Sequence, residues 1–110
     1  MNTIPSITVA ALAELLKNQA NVCLIDVREP DEHDAASISG SRLVPLSTVP
    51  EEAAQWPMDQ EMYVHCKAGG RSARAVQYLM DQGFTHVTNV AGGMDAWLTA
   101  GLPVAPDCVA

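Results

Sequence analysis

Positive charge is scarce in this chain. Six lysines and arginines face thirteen aspartates and glutamates, for a formal net charge of −7. That argues against nucleic-acid binding, because phosphate contacts need a basic surface. Cysteine is scarce too: three residues, an odd number, with no C-x-x-C pair. A disulfide framework and a structural zinc site are therefore not expected. No apolar run approaches the length of a membrane span. The N-terminal MNTIPSITVA has neither the basic start nor the apolar stretch of a signal peptide. Internal repeats, linkers and low-complexity tracts are missing. The expectation is a cytoplasmic protein with no metal, no cofactor and no membrane or nucleic-acid partner.

What is there suits a single domain over residues 1–110, with 48% hydrophobic and 17% charged residues. At this length a core forms without disulfides. The charge is uneven. Residues 1–60 hold nine acids and three bases; residues 61–110 hold four acids and three bases, and those bases are Lys67, Arg71 and Arg74. A cationic spot on an acidic chain points to a small anionic ligand.

Short apolar runs alternate with helical patterns. Strands are expected over 7–9, 22–27, 42–44, 62–65 and 87–90. Helices are expected over 9–19 with Thr8 as cap, over 31–37, over 48–55 with Pro50 in the first turn, over 71–82 ended by Gly83, and over 94–100 ended by Gly101. The 22–27 run is continuous rather than alternating, which fits a strand covered on both faces. The order implies an α/β fold: three layers around a sheet of about five mostly parallel strands.

The stretch Tyr63-Val64-His65-Cys66-Lys67-Ala68-Gly69-Gly70-Arg71-Ser72 carries the chemistry. An apolar strand ends at Cys66 and a helix opens at Arg71. Ligands of parallel sheets bind beyond the C-terminal strand ends. A helix start offers free N–H groups and partial positive charge. Gly69 and Gly70 let the loop curl and aim its amides inward. Lys67, Arg71 and Arg74 add full charges. Each feature favours a thiolate at Cys66, and the thiolate is the nucleophile.

These residues resemble the active-site loop of the rhodanese family, a cysteine followed by a short Gly-containing loop and then Arg-Ser. Other segments resemble that family in order: Ile25-Asp26-Val27-Arg28-Glu29 with Glu32-His33, then Ile38-Ser39-Gly40-Ser41 through Pro45-Leu46, then Val90-Ala91-Gly92-Gly93-Met94-Asp95-Ala96-Trp97. The resemblance implies a sulfurtransferase. Cys66 would take sulfur from a donor such as thiosulfate as a persulfide and pass it to cyanide, a thiol or a protein acceptor. Lys67 and Arg71 match positions that bind the anionic donor. The amides of Lys67, Ala68, Gly69, Gly70, Arg71 and Ser72 would cradle the terminal sulfur, with the Ser72 hydroxyl as a further donor. Asp26 and Arg28 are read as braces, through a salt bridge or a loop hydrogen bond. A monomer or weak homodimer is expected. The chain departs from the family at Ala36-Ser37-Ile38, where Gly-His-Ile is usual, and at Ser39, where Pro is frequent. Altered packing rather than lost activity is expected there.

Two other functions compete. The first is a phosphatase or arsenate reductase: cell-cycle phosphatases also use a His-Cys…Arg loop, but with five residues between Cys and Arg. Here there are four, Lys67 to Gly70, which suits one sulfur atom better than a tetrahedral phosphate. A binding module or pure sulfur carrier is the second rival; regulatory relatives lack the cysteine, and this chain has it. His33 and His86 are expected at the surface and Cys23 in a buried strand. Cys108 is read as an incidental thiol, and both Trp56 and Trp97 as packing residues. Glu29, Asp31, Glu32 and Asp34 are expected to form a solvated acidic face.

Overall fold

The structure, a computed structural model, describes residues 4–19 and 21–105. Five strands form one sheet: β1 (Ser6–Ile7), β2 (Leu24–Asp26), β3 (Arg42–Leu43), β4 (Met62–His65) and β5 (Val87–Val90). Their spatial order is β1-β5-β4-β2-β3, and every pairing is parallel. Helices α1 (Val9–Asn18), α2 (Pro30–Ala35), α3 (Val49–Ala53) and α4 (Gly70–Asp81) lie in the connections, and α5 (Gly93–Thr99) follows β5. The expected α/β architecture is the one observed.

A parallel sheet needs both faces covered, and two apolar clusters do this. One holds Ile25, Val64, Val76, Leu79, Phe84 and Val87, under α3 and α4. The other holds Leu12, Leu24, Ile38, Val90, Met94 and Trp97, under α1 and α5. Alternation along β4 sends Met62, Val64 and then Cys66 to the α4 side, and His65 to the other. At β2 all three residues are buried, which explains the unbroken apolar run.

Element boundaries follow local chemistry. Thr8 caps α1, its Oγ1 accepting from Ala11 N at 3.1 Å. The expected strand 22–27 pairs only over Leu24–Asp26, and Cys23 lies just before it, half-buried against the core. The expected helix 48–55 is a 3-10 turn at Leu46–Thr48 running into the short α3, with Pro50 in its first turn. In the segment of the departures, Ser37 and Ile38 are buried. Ser37 and Ala105 exchange two backbone hydrogen bonds of 2.7 Å, tying the last described residue to the turn after α2. Trp97 is buried and its Nε1 donates to Pro103 O, whereas the half-buried Trp56 meets Phe84 edge-on. Cys108 lies outside the described residues.

The most constraining turn joins β5 to α5. Gly92 and Gly93 both have positive φ, 77° and 53°. Met94 N donates to Cys66 O and Asp95 N to Lys67 O, each at 2.8 Å, so the start of α5 is pinned to the end of β4. A Cβ at Gly93 would overlap the Cys66 carbonyl oxygen and stand 2.8 Å from that of Lys67. Gly101 also has positive φ, 72°, but a Cβ there meets nothing within 4 Å. Gly93→Ala is therefore expected to cost about 2–4 kcal/mol, against about 1–2 kcal/mol for Gly101→Ala, which carries the backbone strain alone. Urea unfolding of the two variants checks this, and equal losses would remove the clash as the cause.

Candidate active site

Cys66 sits just past β4 and is fully buried. The chain then curls through Lys67, Ala68 and Gly69 into the first turn of α4. Gly69 is the helix N-cap and takes φ 112°, a conformation closed to side-chain-bearing residues. That turn directs Gly69 N–H at Cys66 Sγ, 3.0 Å away, and puts Ser72 Oγ 3.3 Å from the same sulfur. Burial pushes the Cys66 thiol up. The Ser72 hydroxyl and the N–H groups of Ser72, Gly69 and Ala68 outweigh it, and the net shift is downward. The local structure thus favours a thiolate despite its dry surroundings.

The loop's full charges are paired off. Arg71 makes a two-pronged pair with Glu32, Nη1 to Oε1 at 2.7 Å and Nη2 to Oε2 at 2.9 Å. Lys67 Nζ lies 3.2 Å from both carboxylate oxygens of Asp95, in the open. Arg74 is exposed on α4. The Arg71 bonds hold the Glu32 carboxyl well below the usual range, at about 2. Glu32 is accordingly not part of a freely solvated acidic face, as the sequence alone indicated. It also accepts from Glu29 N at 3.0 Å, closing a capping box over the start of α2.

Asp26 ends β2 and Arg28 lies two residues on, both buried. Arg28 reaches Asp26 through Nε and Nη2, at 3.0 and 2.8 Å, and its own N–H donates to Asp26 Oδ1 at 3.0 Å. Arg28 Nη2 also donates to Ala36 O at 2.7 Å. His33 is not the isolated surface residue the sequence indicated: its Nδ1 is 2.9 Å from Asp26 Oδ2. Burial pushes Asp26 up, but Arg28, His33 and the nearby His65 draw it down further. This cluster fastens both ends of α2, and α2 carries the Glu32 that grips Arg71.

His65 is buried, and burial pushes its ring below the usual value, toward the neutral form. Its Nδ1 faces the Cys66 carbonyl oxygen at 3.4 Å, not the sulfur. It is thus no proton acceptor for the thiol. One residue at the site escaped the sequence reading altogether. Asn89 of β5 is 8% exposed, and its side-chain amide meets Ser72 Oγ. A polar side chain in step with Val87, on the inward face of β5, was the available sign of it.

Comparison with known proteins gives the family and the fold. The model of the rhodanese-like domain matches residues 8–100. A sulfurtransferase from Allochromatium vinosum is 36% identical over 98 residues, covering 88% of this chain and 92% of that one. The thiosulfate sulfurtransferase GlpE of Vibrio cholerae is 33% identical over 92 residues, covering 84% and 87%. The crystal structure of a rhodanese-related protein from Thermoplasma volcanium matches with a TM-score of 0.82 at 36% identity, over 92% of this chain and 97% of that one.

The Glu32–Arg71 pair has a pH signature. The Glu32 carboxyl is lowered from 4.5 to about 2 on folding, so its stabilisation is complete above 4.5 and disappears as pH falls through about 2. The stability difference between the parent and Glu32→Gln should be constant above that window and shrink across it. Urea unfolding at a series of pH values tests this; a difference that persists unchanged at the acid end would mean the pair is not its source.

Proposed function

The chain belongs to the rhodanese-like domain family, and on that footing we propose that it is a sulfurtransferase working through a persulfide on Cys66. The observation that carries this reading is the Cys66 sulfur itself, buried at the start of α4 and met by Gly69 N–H at 3.0 Å. The Cys66 thiolate attacks the outer sulfur of a donor such as thiosulfate. The donor's S–S bond breaks, sulfite leaves with the electron pair, and Cys66 holds the sulfur as a persulfide anion. An acceptor nucleophile, cyanide or a thiolate, then attacks that terminal sulfur, and Cys66 leaves as the thiolate it began as.

The roles divide by chemistry. The amides from Lys67 to Ser72 hold the anionic sulfur, as fixed dipoles that need no rearrangement. Lys67 and Arg71 attract the donor. The Lys67–Asp95 pair is exposed and therefore worth little, so it yields readily to an incoming anion. Asp26 and Arg28 act at a distance, by fixing α2. The loop, with four residues between Cys66 and Arg71, matches a single sulfur atom. A reduced thiol is required throughout, which fits the cytoplasm. Among the described residues no helix is long and apolar enough to cross a membrane.

Intact mass tests the reading directly. Thiosulfate should add about one sulfur atom to the parent, reversibly with a thiol reductant, and nothing at this site to Cys66→Ser, whose unfolding midpoint should stay close to the parent's. No gain in the parent would refute the persulfide, and hydrolysis of an aryl phosphate in the same preparation would transfer the assignment to a phosphatase. Arg71→Ala should raise the KM for thiosulfate about tenfold, equivalent to about 1.4 kcal/mol, with a smaller effect on kcat. An unchanged KM would remove Arg71 from donor binding.

A further inference from the structure

The Ser72 hydroxyl is oversubscribed. Its oxygen is within hydrogen-bond reach of three acceptors: the Asn89 side-chain oxygen, Gly69 O at 3.2 Å and Cys66 Sγ at 3.3 Å. A hydroxyl has one proton to give. The contact to Asn89 is the shortest of the three. With the Asn89 oxygen facing it, Ser72 spends its proton on the amide, and the sulfur is left to the backbone donors.

Asn89 is an odd residue for its place. It lies in register with Val64 on the neighbouring strand, on the α4 side of the sheet, and is 8% exposed. Around it that layer is apolar: Val64, Val76 and Val87. An amide in such a layer is costly unless it is hydrogen-bonded. Its partner is the hydroxyl that also touches the nucleophile. Packing alone would be served by a leucine or valine.

A carboxamide has nearly the same shape when turned by half a revolution, which exchanges an acceptor for a donor. We propose that Asn89 is a positioning residue that governs the Ser72 proton: with Nδ2 facing Ser72, the hydroxyl accepts from Asn89 and donates to Cys66 Sγ. The orientation with Oδ1 toward Ser72 suits the neutral thiol or the persulfide, where Sγ carries no full charge. The opposite orientation suits the thiolate, both before it attacks and when it departs in the second half of the reaction. The turn of the amide itself exchanges only hydrogen bonds; the thiol's own proton passes to solvent when the thiolate forms, and the S–S bonds form and break as in the two transfer steps above.

This role rests on Cys66 being the reacting thiol, and its test can tell the two apart. The rate of iodoacetamide alkylation at Cys66, followed by mass of the Cys66 peptide across pH, reads the thiolate without needing a sulfur donor. Asn89→Leu should raise the midpoint of that profile by about one unit, the order expected for losing support to a hydrogen bond on a charged group. Alkylation at acid pH should then slow about tenfold. In a Ser72→Ala background the same substitution should add nothing, because the link from Asn89 to sulfur is gone. A parent-like midpoint in Asn89→Leu, or an equal shift with and without Ser72, would overturn the proposal. Should Asn89→Leu not fold, Asn89→Asp serves: it has the same shape but an ionised carboxylate that accepts and cannot donate. Its shift should shrink when Ser72 is removed; a direct charge effect would leave it unchanged and overturn the relay. A parent Cys66 titrating no lower than an ordinary thiol, about 8.5, would instead overturn the reading of the site itself.

Discussion

Two backbone hydrogen bonds set the shape of the active loop. The N–H groups of Met94 and Asp95, at the start of α5, take the carbonyls of Cys66 and Lys67. In a trans peptide the carbonyl and the next N–H point in opposite directions. Fixing the Lys67 carbonyl against α5 therefore turns the Ala68 N–H away from that helix and toward the side where the sulfur lies. The Ala68, Gly69 and Ser72 amides all act to lower the Cys66 thiol. One helix start absorbs the loop's oxygens so that another can offer its hydrogens to sulfur. Gly93 follows from this, since only a residue without a side chain allows the start of α5 to come so near the Cys66 and Lys67 carbonyls, whereas a Cβ at Gly92 would meet Ala96 within the helix itself.

That geometry also assigns the electrostatics. A loop with two basic residues near a cysteine invites a picture of a cationic pocket. In the structure each of those bases has a carboxylate of its own, Asp95 for Lys67 and Glu32 for Arg71. The charge on sulfur is met mainly by amides and a hydroxyl. This division is economical in a chain of net charge −7. Amides keep their dipoles at any pH and lose no side-chain entropy on holding an anion, whereas a lysine must be ordered to do so. The pairs still shape the site: the Arg71–Glu32 fork joins the first turn of α4 to α2. The buried Asp26–Arg28–His33 group then anchors α2 to the end of β2. Such a buried group is a poor source of stability and a good source of fixed geometry.

Much of this was legible beforehand, for identifiable reasons. The strand Leu24–Asp26 falls inside the continuous run that marks it, because burial on both faces leaves a compositional trace, and the strands expected over 62–65 and 87–90 are found at Met62–His65 and Val87–Val90. The α4 pattern and its glycines mark the turn after Cys66 equally well. What escaped was pairwise and remote. Arg71 meets Glu32 across 39 positions, and Ser72 meets Asn89 across 17. Periodicity tells which face a residue occupies, never which residue stands opposite. His33 looked like a surface histidine because a six-residue helix carries too little pattern to show that one side leans on Asp26. The glycine pair before α5 was recognisable only by resemblance; its physical cause needs the Cys66 carbonyl in view.

The site's demands on sulfur explain why so small an apparatus suffices. The proposed sulfur transfer through a persulfide asks one atom to be a nucleophile in the first step and a leaving group in the second. Both ask for the same thing, a stabilised thiolate at Sγ. Too much stabilisation would blunt the attack, since nucleophilicity falls with basicity. Burial opposes the hydrogen bonds at Cys66, and the net shift is still downward. A free cation in contact with the sulfur would tip that balance toward an inert thiolate. Neutral donors, with the cations already held by carboxylates, lower the Cys66 thiol without setting a free full charge against the sulfur, which suits the two-step transfer proposed above.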